Sequence, residues 1–167
     1  MLQLYKESLW KQFGASIDML TNAINAYPEN IWEKEKKFFY ISYHVAIFLD
    51  YYLQIPAAPL SSPLPFTLSD VIPVDGIDDI VPDSIYTKTE ILTYLQTSRQ
   101  KCHDLIMHMT ETDFAQQWVE IDGNKVMPVL ELLFYNMRHV QHHAAQLNML
   151  LRKQTGDAPN WVRAARE

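Results

Sequence analysis

Between Lys37 and Asp50 the chain has no charged residue, and Phe38 to Leu49 would put large apolar side chains on nearly every side of a helix. Such a helix is stable only when other elements cover it, so the segment from about Lys36 to Gln54 is expected at the centre of a helical fold. Three further segments with helical periodicity can supply the cover. The first runs from about Leu2 to Ala26, with Leu9, Phe13, Ile17, Leu20 and Ile24 at spacings of three and four, and Pro28 closes it. The third segment in chain order opens at Thr87, whose hydroxyl and the Glu90 carboxylate form a capping box, and continues to about Met109. The fourth begins near Pro128 and ends near Gln154, with Gly156 placed to stop it.

The pattern predicts an all-α, four-helix bundle. Ile55 to Tyr86 is too long for the tight turn that joins antiparallel neighbours, so it is expected to cross the bundle and let the second and third helices point the same way. The expected order is up-down-down-up, in one domain spanning residues 1–167. This crossover contains Asp70, Asp75, Asp78, Asp79 and Asp83 without a Lys or Arg. A solvated connection is the favoured reading of it, and a cover over a site the sharper one. Trp118 to Gly123 reads as a short hairpin or turn.

Composition closes off several function classes. Four widely spaced glycines leave no Gly-rich phosphate loop. Fourteen basic against twenty acidic residues give a formal charge of −6, and no basic run exceeds Lys36-Lys37, so nucleic acid is not an expected partner. The uncharged run from Tyr51 to Ser69 is broken by Pro56, Pro59, Pro63 and Pro65, which excludes a membrane helix there. A lone cysteine, Cys102, and a charged opening sequence point to the cytoplasm.

The unusual local density is Asn136-Met137-Arg138-His139-Val140-Gln141-His142-His143 in the fourth helix. With ~100° per residue, His139 and His143 fall on the arc of Leu132, Leu147, Val140 and Leu133, facing the core, whereas His142 falls near Glu131 and Arg138. Imidazoles at i and i+4 can ligate one metal ion. His44, in the apolar second helix with Ile41, Phe48 and Tyr51 on its side, is the candidate for a third ligand. Periodicity and spacing leave two readings open: a three-histidine divalent metal site, or core histidines satisfied by hydrogen bonds. His103 and His108, five apart, do not share a face, and Cys102 reads as a small buried hydrophobe.

At these residues the chain resembles the DinB-like superfamily of small bacterial four-helix proteins: a histidine midway along the second helix, here Tyr43-His44, and H-x-x-H-H-x-x-Q on the fourth, here His139, His142, His143 and Gln146. The resemblance extends from about Leu2 to Trp161. It implies one divalent metal held by His44, His139 and His143, a homodimer, and activity as a thiol-dependent transferase or a metal-dependent hydrolase on a small molecule. Tyr43, Phe48, Asn136, His142 and Gln146 are the pocket candidates. Zinc, nickel and iron all accept imidazole, and a low-molecular-weight thiol is the candidate second cofactor. The acidic crossover would repel the carboxylates of such a thiol, so its anchoring cation is sought on the helices, with Arg138 and Arg99 the nearest. The competing reading is a non-catalytic bundle that binds metal or a protein partner.

Overall fold

The computed structural model describes residues 1–166. The apolar segment is helical as predicted but not central: α2 spans Lys36–Tyr51 and packs against α3 (Lys88–His108) and α5 (Val129–Thr155), the same two helices that flank α1 (Leu2–Ala26). Phe39, Val45, Ala46, Ile47 and Leu49 are fully buried, so α2 is covered on most of its circumference. Its end differs from expectation. The α-helical ladder stops at Tyr51, and Leu53 and Gln54 continue in tighter turns through N–H bonds to Asp50 O and Tyr51 O.

Local chemistry sets the other boundaries. At Thr87 both halves of the capping box form: the hydroxyl accepts from the Glu90 N–H, and the Glu90 carboxylate accepts from the Thr87 N–H at 2.8 Å. Gly156 ends α5 at φ 83°, the left-handed conformation that glycine adopts without strain. A fifth helix of one turn, α4 (Glu111–Ala115), adds to the four long ones and has the same device at Thr110 and Asp113. A single 3-10 turn (Glu29–Ile31) links α1 to α2, and two strand pairs complete the described elements. In the crossover, β1 (Phe66–Leu68) pairs antiparallel with β2 (Ile80–Pro82), Thr67 opposite Val81. After α4, β3 (Gln117–Val119) pairs with β4 (Val126–Pro128), Trp118 opposite Met127.

That second hairpin closes one end of the helical core. Trp118 is buried, and its indole N–H donates to Gln54 O at 2.9 Å, just beyond α2. Trp32, in the link between α1 and α2, likewise donates to Tyr86 O at 2.8 Å, just before α3. A buried indole needs such a partner, so the two tryptophans pin the ends of α2 and α3 as well as filling volume.

Polar contacts fix the helices along their lengths. On α1, Lys6 donates to Met109 O at 2.9 Å and Asp18 accepts from Arg99 Nε at 2.7 Å, while Lys88 at the start of α3 donates to Tyr27 O at 2.6 Å. Between α2 and α3, Asp50 accepts from Lys101 at 2.7 Å and from the Tyr94 hydroxyl at 3.1 Å. Between α2 and α5, the Asn136 amide donates to Leu49 O at 3.0 Å. No helix among the described residues is long and apolar enough to cross a membrane.

Candidate metal centre

Side chains within an α-helix that lie four apart are neighbours, and α5 uses this to stack two imidazoles: His139 Nε2 and His143 Nε2 are 3.1 Å apart. The α2–α5 contact brings the third, with His44 Nε2 3.0 Å from His139 Nε2. Donor atoms of the three residues all lie within 4.8 Å of one another. His143 is buried, His44 and His139 are partly so, and His142 is exposed, as the helical arc requires.

Protons alone cannot satisfy this arrangement. His143 Nδ1 lies 2.8 Å from the Gln146 side-chain oxygen Oε1, and His44 Nδ1 lies 2.6 Å from Asp78 Oδ2, so in the neutral rings the protons sit on Nδ1 and both Nε2 atoms carry lone pairs. His139 Nε2 faces both, and one proton there can bond only one of them. Protonating the rings is opposed as well: burial first, then the neighbouring imidazoles, push His139 down to about 3 and His143 down to about 4. Three convergent imidazole nitrogens are a donor set suited to a divalent transition metal.

Aromatic rings wall the site. Phe48 lies 4.8 Å from the His44 ring and 5.8 Å from that of His139, and Tyr52 stands edge-on to His139 at 6.3 Å. Lys125 sits over the Tyr52 and Tyr135 rings at 5.0 and 5.3 Å, and its ammonium donates to the Tyr52 hydroxyl at 3.1 Å. On the solvent side His139 opens into a shallow cleft with Tyr135, Arg138, Gln141, His142 and Ala145.

The structure therefore brings His44, His139 and His143 together and puts Phe48, His142 and Gln146 in contact with their rings. Tyr43 lies apart from the three rings' meeting point, its hydroxyl donating to Leu64 O at 2.7 Å and so holding the crossover. Asn136 anchors α5 to α2, and its Oδ1, like His139 Nδ1, is buried without a partner among the described residues. Of the two suggested anchoring cations, Arg138 lines the cleft, but Arg99 is bound to Asp18 and to Arg166 O on another face of the protein. His103 packs edge-on against Trp10, His108 bonds Asp104 O, and burial raises the Cys102 thiol far above its ordinary value.

Asp78 is the residue that sequence reasoning missed. Five aspartates share the crossover, and nothing in their spacing singles out this one. Reading the segment only as a solvated connection is corrected at this point, because Asp78 reaches α2.

A family model described as the DinB superfamily matches residues 12–147, which include all three histidines and Gln146. No curated protein and no solved structure matches the chain. Through that match over most of its length, the chain belongs to the DinB superfamily.

Proposed function

We propose that this chain is a divalent-metal-dependent enzyme in which His44, His139 and His143 hold one zinc, nickel or iron ion. The observation that carries this reading is the meeting of three Nε2 atoms at 3.0 and 3.1 Å, which protons cannot satisfy together. When bound, such an ion supplies either a water with a pKa of about 7 or a site for a substrate sulfur as thiolate. The protein's own groups prepare the site for either. Gln146 holds the proton of His143 on Nδ1 and so keeps Nε2 free. Phe48 and Tyr52 exclude water from the buried side. Arg138 at the cleft and Lys125 over Tyr135 give a positive rim for the anionic group of a small substrate, a low-molecular-weight thiol among them.

The same reading takes residues 1–167 as one up-down-down-up domain. Lys6 with Met109 and Lys88 with Tyr27 support α1 and α3 running in opposite directions, while His44 with His143 and Leu49 with Asn136 support the same for α2 and α5. The C-terminal segment folds back onto α1 through the bond from Ala165 N–H to Lys11 O, which supports including it in the domain. We place the protein in the cytoplasm on its lone cysteine, and as a homodimer, as the family implies. An apolar groove of Leu2, Tyr5, Leu9, Leu130, Phe134 and Met137 is consistent with a covered face.

The test is an activity panel on metal-loaded, chelated and reloaded protein. A thiol transferase consumes a low-molecular-weight thiol together with an alkyl halide or epoxide, whereas a hydrolase turns over esters, amides or lactones without a thiol. Activity that vanishes on chelation and returns with metal supports the proposal. Metal-loaded protein without turnover in either panel shifts the reading to a non-catalytic metal-binding bundle.

A further inference from the structure

The carboxylate of Asp78 is held at both oxygens. Oδ1 accepts the Ile80 N–H at 3.1 Å, and Oδ2 lies 2.6 Å from His44 Nδ1. The side chains of His44 and Asp78 are 13% and 26% exposed, so the pair is partly shielded from water. The backbone around Asp78 is shaped to place it. Pro73 O accepts the Gly76 N–H at 2.8 Å across a turn whose third residue, Asp75, takes φ 71°, a conformation aspartate tolerates. A Cβ at Gly76 would come within 2.8 Å of Ile72 Cγ2 and 3.0 Å of Pro73 O, so the turn is tight. Two residues after Asp78, Ile80, which is buried, enters β2 and pairs with Leu68. Tyr43 and Tyr86 hold the stem of the same segment by donating to Leu64 O and Pro65 O.

Between these fixed points the segment is largely uncovered. Val71 and Val74 are 80% and 89% exposed, and Leu68 and Ile72 are also open to solvent. Within the loop from Ser69 to Asp79, the bond to His44 is thus the polar side-chain link to a helix among the described residues.

Resting on the metal reading above, we infer that Asp78 is a positioning residue and that it couples the crossover to the metal site: the carboxylate fixes His44 with its proton on Nδ1, and an ion on Nε2 strengthens the bond that fastens the crossover to α2. The physical basis is mutual polarisation. A carboxylate on one nitrogen raises the basicity of the other, and metal on that other nitrogen makes the N–H a stronger donor. Coupling is reciprocal, so whatever Asp78 contributes to metal affinity the metal returns to the closed crossover.

The test compares wild type with Asp78→Ala and Asp78→Asn by zinc titration and by hydrogen exchange over residues 69–82. Because Asp78 lies in a loop outside the helical core, both variants are expected to keep the helical content of metal-free wild type. Removing such a partner of a ligating histidine weakens affinity ~10- to 100-fold. Asp78→Ala should therefore weaken zinc binding by that factor at unchanged stoichiometry, with Asp78→Asn, which keeps an acceptor, falling between. Zinc should slow exchange over residues 69–82 in wild type and not in Asp78→Ala. Wild type that loads zinc while Asp78→Ala loads it equally tightly, with equal protection of the crossover, overturns the inference alone. Wild type that takes up no metal overturns the metal reading and the inference with it.

Discussion

His44 and His139 lie 95 residues apart in the chain, yet their Nε2 atoms are 3.0 Å apart, across the contact between α2 and α5. Neither ring can turn away freely, because Phe48 packs against both and His44 is held at its other nitrogen. The one proton of a neutral His139 ring can lie on Nε2 toward His44 or toward His143 but not both, and burial opposes the second proton that would charge the ring.

The facing of α5 separates neighbouring histidines. His143→Ala is expected to abolish metal uptake or weaken it by at least ~100-fold, because it removes one of three ligands. His142→Ala should leave it within about threefold, since His142 is exposed and touches only the flank of His143. Isothermal titration with zinc checks this. Loss of binding in His142→Ala with retention in His143→Ala would reverse the assignment.

Acid should destabilise the metal-free protein in a defined window. His139 and His143 have folded-state values pushed down to about 3 and about 4, by burial and by neighbouring imidazoles, from ~6.5 in an unfolded chain. Between those limits the unfolded state binds more protons, so stability is fully present above ~6.5 and is lost as pH falls toward ~4. Chemical denaturation of metal-free protein at pH 7 and pH 5 is expected to show the lower midpoint at pH 5, and His143→Gln should flatten the difference. An identical slope in that variant would place the titrating groups elsewhere.

Gly14 on α1 is set by the returning C-terminal segment. A Cβ there would meet Ala165 Cβ at 2.5 Å and the Trp10 ring at 3.0 Å. Gly14→Ala gains helix propensity of ~1 kcal/mol, but the overpacking is of order 1–3 kcal/mol. The expected outcome is release of the segment after Arg163, read as faster trypsin cleavage there at unchanged helical content. Cleavage as slow as in wild type would mean that the two backbones can separate without losing the contact.

What was legible in the sequence was whatever depends on neighbours along the chain. The four long helices, the Thr87 cap and the inward facing of His139 and His143 follow from spacings of three and four, and the Gly156 stop from glycine's freedom at positive φ. The one-turn α4 also had its signal, the Thr110 and Asp113 pair, but five residues carry no period to draw attention to it. Strands of three residues are too short to show alternation, so β1 and β2 left no signal, whereas Trp118 to Gly123 marked the hairpin of β3 and β4 through its turn residues. Asp78 was hidden for a different reason: its partner is 34 residues away, and what selects it among five aspartates is the turn from Pro73 to Gly76. Arg99 shows the converse, since a cation chosen by helix alone proved to belong to the α1–α3 contact with Asp18.

The most direct test of the central claim is elemental analysis of the purified protein after exposure to zinc, nickel or iron and removal of unbound ion. About one equivalent of a divalent transition metal per chain is expected, and none in the variant that combines His44→Ala, His139→Ala and His143→Ala. A wild-type protein that stays metal-free in all three cases, or a triple variant that retains the same equivalent, would contradict it.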